Sequence, residues 1–393
     1  MSKIKTFYRK YLHNVIAAVI LLAIVTNLII ETLARQSIWG GFLFFVQSPL
    51  IFLYNSLLIF ATISLGFLFK RRAAAFVTIS FIWIILGIVN GIILSKRMTP
   101  FTVYDILSFK EGLSIVGNYF SVLQMVLIAA GIAFVVALFV FLRRKIPKHG
   151  KHANHKRRFA VVAVIILITF GVSGLFIRTG IIETYFPNLA YGFRDNGFPY
   201  CFINTWFNTG IGKPKDYSKE NVRSIFTKKE METTVAAKGS DGNESHPNIL
   251  FLQMEAFMDP ETVKGLRLSE DAIPTFRKLM KKNSNGRFLS PAVGAGTANV
   301  EFEVMTGMSV RFFGPGEYPH KSLLGETVCE SVAYDLKNIG YFTHAIHNHR
   351  ATFYGRNQVF ANLGFDTFTS VEYMNKVNRT PKNWAKDYVL TQQ

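Results

Sequence analysis

Five apolar stretches constrain this chain more than anything else in its sequence. They are Leu12–Ile30, Pro49–Phe69, Ala73–Ser95, Val122–Leu142 and Phe159–Ile177. Each is close to the roughly 20 residues that cross a bilayer core as a helix, and each is bounded by charge or turn residues. The first does not read as a cleaved signal peptide. It is long for such an apolar region, and no small-residue cleavage site follows it before Glu31 and Arg35.

Charge gives the orientation. The chain has 393 residues, half of them hydrophobic and 18% charged, with a net charge of +19. Such an excess ordinarily raises nucleic acid as a partner. Its distribution argues otherwise, because residues 1–178 hold 20 basic and three acidic residues (Glu31, Asp105, Glu111), while the rest hold 24 basic and 22 acidic. Fifteen of those 20 fall on one side of the expected membrane: Lys3–Lys10, Lys70–Arg72 and the run Arg143–Arg158. The other side holds Arg35, Lys96, Arg97, Lys110 and Arg178. The excess of Lys and Arg in short loops marks the cytoplasmic face. The N-terminus is therefore expected in the cytoplasm and everything after Ile177 outside, with no nucleic acid as partner. Flanking a span explains the run Arg143–Arg158 more simply than a nucleic-acid or acidic-lipid patch does. Composition also excludes a disordered chain and a disulfide scaffold, since Cys201 and Cys329 are the only cysteines.

Lys96–Tyr119 mixes polar and apolar residues and is compatible with one or two interfacial amphipathic helices or with an ordinary loop. Residues 179–247 read as an extracellular linker, polar and rich in Gly, Asn and Ser at Lys228–Pro247. Within it, Val235-Ala236-Ala237 has the small residues of a signal-peptidase site but lies far from a span.

The pattern changes at Asn248. The apolar run Asn248–Leu252 has the signature of a strand buried on both faces. Helices are expected over Asp271–Lys282, over Ala298–Met308 with Val300, Val304 and Met305 inward, and over Glu326–Asn338 before a strand Tyr341–Ile346. Alternation of this kind predicts an α/β domain with a largely parallel sheet over 248–393. Two residues stand at chemically suggestive places. Glu255 follows the first expected strand, where open α/β sheets bind ligands and where a carboxylate serves as hard-metal ligand or acid/base group. Thr297 follows Gly294-Ala295-Gly296 at a helix start, where backbone N–H groups and the helix dipole favour an anion. A hydroxyl there can attack phosphorus or sulfur once a metal or base lowers its pKa. Each has an ordinary alternative: a solvated loop glutamate and an N-capping threonine.

NILFLQMEAFMDP (248–260), GAGTANVEFEVMTGM (294–308) and FYGRNQVFANLGFDTF (353–368) together resemble the lipoteichoic acid synthase family. Its members are membrane phosphoglycerol transferases of the sulfatase/alkaline phosphatase superfamily. The resemblance implies a five-helix transmembrane bundle in a bacterial plasma membrane, followed by an extracellular α/β sulfatase-like domain. It implies that Glu255 and Thr297 ligate a divalent metal, manganese in that family, and that Thr297 is the catalytic nucleophile. Phosphatidylglycerol would be the donor, diacylglycerol the leaving group, and a growing polyglycerolphosphate or glycolipid the acceptor. Arg356 would bind phosphate, as the fork of a guanidinium suits, and His347 would touch substrate.

The family completes its metal site with an Asp-His pair and a further histidine later in the domain. After Arg356 the sequence holds Asp366 and Asp387 but no histidine. His344, His347 and His349 on a strand end do not converge on one point. The expectation is therefore a domain incomplete at its C-terminus and inactive as it stands. Phosphoethanolamine transfer, phosphoglycerol transfer onto a glucan, sulfuric ester hydrolysis and a non-catalytic membrane protein remain as alternatives.

Overall fold

The computed structural model describes residues 13–145, 155–186, 188–212, 214–225, 247–254, 257–292 and 296–392. Glu255, Gly294, Ala295 and Val235–Ala237 lie outside the described residues, as does most of the expected polar linker.

Among the described residues, five helices are long and apolar enough to cross a membrane: α1 (His13–Ala34), α3 (Pro49–Ser64) with its 3-10 extension to Leu68, α4 (Arg72–Leu94), α7 (Val122–Lys145) and α8 (His155–Arg178). They match the five apolar stretches, with ends shifted by a few residues. The shifts reach four residues, at the start of α8 and at the end of α1, which continues past Ile30 and takes Glu31 inside the helix. That carboxylate is fully buried, pairs with Arg35 one turn on, and accepts a hydrogen bond from Phe198 N at 2.8 Å. Compensation by both partners is what allows a charge at this depth.

One further helix, α2 (Ile38–Gln47), was not expected. Ser37 caps it, accepting from Gly40 N at 3.0 Å. Its Gly41 lies against α1, where a Cβ would come within 2.9 Å of the Thr32 backbone. Trp39, Phe42 and Phe45 are exposed.

Of the two readings open for Lys96–Tyr119, the helical one holds: α5 (Val103–Leu107) and α6 (Phe109–Tyr119). Asp105 organises this segment, accepting from Thr102 N at 2.8 Å and from Arg97 Nη2 at 2.7 and 2.8 Å. The stretch after Arg178 does not begin a linker. It forms α9 (Leu189–Asn196) and α10 (Phe198–Phe207), whose Phe193, Phe198, Tyr200, Cys201 and Phe202 join the core of the spans. Asn55 on α3 ties them down, donating to Asn196 O and accepting from Tyr200 N, both at 2.8 Å. Gly197 between the two helices has φ +83°, and a Cβ on it would meet Asn55 Nδ2 at 2.6 Å. The polar, Gly- and Pro-rich sequence hid an apolar stripe that becomes legible only once a bundle exists to receive it.

The chain forms two compact units, Met1–Gly210 with Pro291–Gln393, and Ile211–Ser290. Inside the smaller, α11 (Pro274–Lys282) is shorter at its start than expected because Pro274 fixes the first turn. Arg277 gathers Asp259, Glu261 and Asp271 around it at 2.7, 3.1 and 2.9 Å. The expected buried strand Asn248–Leu252 is not one. These residues are in no sheet and are exposed, Leu250 at 87%. An apolar run becomes a buried strand only with neighbours on its edges and faces, and the described residues supply none.

In the larger unit, residues 296–392 hold α12 (Thr297–Thr306), α13 (Leu323–Glu326), α14 (Val332–Asn338), β1 (His344–His347), α15 (Arg356–Asn362) and β2 (Thr367–Ser370). The two strands pair in parallel, His344 opposite Thr367 through His347 opposite Ser370, with α15 as the crossover. Parallel pairing and the α/β character follow the expectation, while β1 begins three residues later than predicted. The core here is Phe302, Phe313, Leu324, Val359 and Leu363. The inward face of α12 is accordingly Ala298 and Phe302, both fully buried, with Met305 packed against the same core as expected; of the other two expected residues, Val300 is half-buried and Val304 is exposed at 45%. Ala298, Phe302 and Met305 stand at i, i+4 and i+7, the spacing of one helical face.

Candidate functional site

Thr297 occupies the first turn of α12, directly after Gly296, whose φ of +90° turns the chain into the helix. Glycine adopts this left-handed conformation at little steric cost. Thr297 is half-buried. One helical turn further, on the same face, lies Glu301. Its carboxylate is shared: Oε1 accepts from Arg356 Nη2 at 2.6 Å, and Oε2 faces His320 Nε2 at 3.1 Å. Arg356 Nε reaches the same Oε2 at 3.4 Å. Arg356, at the start of α15, is 2% exposed, and His320 is 1% exposed. Burial works against ionisation of Glu301, but Arg356 and His320 override it and hold the carboxyl at about 2.

Tyr354 covers this triad. Arg356 lies over its ring at 5.3 Å from the centroid and Lys321 at 5.2 Å. The Tyr354 backbone has φ +58°, uncommon for an aromatic residue, and Gly355 follows at +65°. These two left-handed residues return the chain so that Arg356 opens a helix facing α12. His347, the last residue of β1, is half-buried within electrostatic reach of the triad. Burial, and then the Arg356 charge, lowers its imidazole to about 4, so it is neutral near pH 7.

Of the four residues singled out in the sequence, the structure brings Arg356 and His347 into one cluster and sets Thr297 on the helix that supplies its carboxylate. Glu255 is outside the described residues. Arg356 does not stand open for phosphate, since its guanidinium is already engaged by Glu301. Sequence reading missed Glu301, His320 and Tyr354. The signal for Glu301 was its place four residues after Thr297, and for Tyr354 its place beside Gly355. Nothing in the sequence linked His320, 19 residues further on than Glu301. Among the described residues no three His, Cys, Asp or Glu side chains gather as a metal site demands. Glu255, which the resemblance pairs with Thr297 at a divalent ion, lies outside the described residues.

Residues 247–393 match the Sulfatase family. The chain thus joins a segment that matches the Sulfatase family to five helices that, among the described residues, are long and apolar enough to cross a membrane. It is 30% identical over 201 residues to a curated protein of Rhizobium meliloti (strain 1021) named "putative cyclic beta-1,2-glucan modification protein". That alignment takes in 51% of this chain and 29% of the relative, so the chain spans under a third of the relative's length. Among solved structures, the lipoteichoic acid synthase LtaP from Listeria monocytogenes matches at 26% identity over 25% of this chain and 23% of that one. The TM-score is 0.22.

Proposed function

We propose that this chain belongs to a membrane-anchored phosphoglycerol transferase in which Thr297 is the nucleophile. The observation that supports it best is the placement of a hydroxyl on the first turn of α12, one turn from a carboxylate that holds a buried arginine. Thr297 Oγ1 attacks the phosphorus of phosphatidylglycerol. The Oγ1–P bond forms, the P–O bond to diacylglycerol breaks, and the departing oxygen takes up a proton. An acceptor hydroxyl then attacks the same phosphorus, its O–P bond replaces the Oγ1–P bond, and the threonine regains its proton. For Arg356 to meet the phosphoryl oxygens, as the resemblance implies, its guanidinium must exchange Glu301 for phosphate, and neutral His347 contacts the substrate. The divalent ion that the resemblance implies, manganese held by Glu255 and Thr297, is part of the proposal. So are its setting in a bacterial plasma membrane with the domain outside and its product, polyglycerolphosphate on a lipid or glycolipid.

A second reading keeps Thr297 and the donor but makes a glucan the acceptor. The similarity to the glucan modification protein favours it. Reconstitution into phosphatidylglycerol vesicles with manganese tests both. Diacylglycerol release is expected and should fall at least about a hundredfold in Thr297→Ala. Release unaffected by that substitution, or none from the parent protein, overturns the function. Phosphoglycerol esters on added cyclic glucan in place of a glycerolphosphate polymer select the second reading.

A further inference from the structure

Beside the start of α12 lies a cavity of about 70 Å³. Thr99, Tyr185 and Asn188 line it from segments that follow the spans, and Gly296, Asn299 and Tyr318 line it from the sulfatase-like part. We propose that this cavity binds a neutral, glycerol-sized polyol, with the Thr99 hydroxyl and the Asn299 amide oxygen as its hydrogen-bonding partners.

Two buried polar atoms carry the inference. Thr99 is 8% exposed, and its Oγ1 has no hydrogen-bond partner among the described residues. Asn299 donates its Nδ2 to Glu317 O at 3.1 Å, which fixes the orientation of the amide and leaves Oδ1 buried and equally unpartnered. A buried polar group left without a partner costs stability. Thr99 and Asn299 line one cavity from separate parts of the fold, and a ligand that offers hydroxyls to both unpartnered atoms accounts for them. At roughly 10–15 Å³ for each water-sized group, the space suits a three-carbon triol or one edge of a sugar ring.

The charge of the lining argues against phosphate. No Lys or Arg lines the cavity, and its one carboxylate is committed, Glu317 Oε2 accepting from Gly210 N at 2.7 Å and Gly314 N at 3.0 Å. Tyr318 supplies an aromatic wall against Gly296, where a Cβ would sit 3.3 Å from its ring. Asn299 is two residues beyond Thr297, roughly 200° around the helix, so the cavity lies on the face of α12 away from Glu301. The triol of a lipid headgroup and a soluble sugar share this chemistry. The site's connection with transfer rests on the function proposed above, while the binding itself does not.

The test uses the whole protein in detergent micelles, with native mass spectrometry as readout. The probes are dioleoyl phosphatidylglycerol and dioleoyl phosphatidic acid, which differ by the headgroup glycerol. At least tenfold stronger retention of phosphatidylglycerol is expected, lost in Thr99→Val and kept in Thr99→Ser. Because the hydroxyl has no protein partner, Thr99→Val should melt no lower than the parent. Equal retention of the two lipids, or a preference that survives Thr99→Val, overturns the site and leaves the cavity to water. Displacement by free glycerol assigns the triol of a lipid headgroup, and displacement by methyl glucoside assigns a sugar; displacement by neither overturns the polyol class. Thr297→Ala separates the two proposals. Transfer that survives it defeats the function with the lipid preference intact, whereas transfer that depends on Thr297 without any lipid preference defeats only the polyol site.

Discussion

Glu301 carries a negative charge where burial opposes one, and its two partners make that possible. Folding therefore depresses its carboxyl from an ordinary 4.5 to about 2. A depressed group contributes stability above its unfolded pKa and loses it as pH falls through the folded value. The Glu301 contribution should vanish between pH 4.5 and about 2. His347 has the same sign at higher pH: its imidazole is lowered from 6.5 to about 4, so acidification through that window favours the unfolded chain. Melting temperatures measured from pH 7 to 4 should drop, and His347→Gln should flatten that part of the profile. An unchanged profile would show that His347 is not held neutral by its surroundings. Glu301→Gln leaves Arg356 buried with a neutral partner. A loss of about 3 kcal/mol in denaturant unfolding is expected, and a loss under about 0.5 kcal/mol, the size typical of surface substitutions, would show the triad to be loosely coupled.

At the scale of elements, the crossover β1–α15–β2 brings Arg356 and His347 to one place, and its closure depends on Gly364. This residue has φ +86°, and a Cβ on it would lie 2.7 Å from the Tyr334 ring on α14. Gly364→Ala should destabilise the fold by about 1–2 kcal/mol from backbone strain alone, and by more if Tyr334 cannot shift. Thermal unfolding with no loss would show that the turn relaxes freely. Legibility in the sequence varied with how far each element depends on distant partners. α12 and β1 were readable because apolar spacing and glycines announce them locally, whereas the helix expected over Glu326–Asn338 runs only from Val332, as α14. Glu301 and Arg356 are 55 residues apart, and their pairing exists only through the fold. The run at Asn248–Leu252 failed for a related reason, since a strand is a property of its neighbours as well as of its own residues.

For the molecule as a whole, the partition of charge predicts a topology that labelling checks directly. Lys70→Cys should resist a membrane-impermeant maleimide in intact bacteria, and Lys110→Cys should react. The native Cys201 and Cys329 are both buried and contribute little background. The reverse pattern would invert the protein in the membrane and place Thr297 in the cytoplasm. The five spans were legible because bilayer thickness fixes their length and composition. The part of the fold between Arg178 and Gly210 was not, because its apolar residues are hidden by turns and satisfied only inside the bundle. That packing turns on two positions, 55 and 197: Asn55 takes Asn196 O and Tyr200 N from either side of Gly197, and no side chain fits between. In terms of descent, these positions form a single locus. A mutation at either is harmful while the other stays as it is, so lineages sharing this architecture should keep both residues or exchange both together.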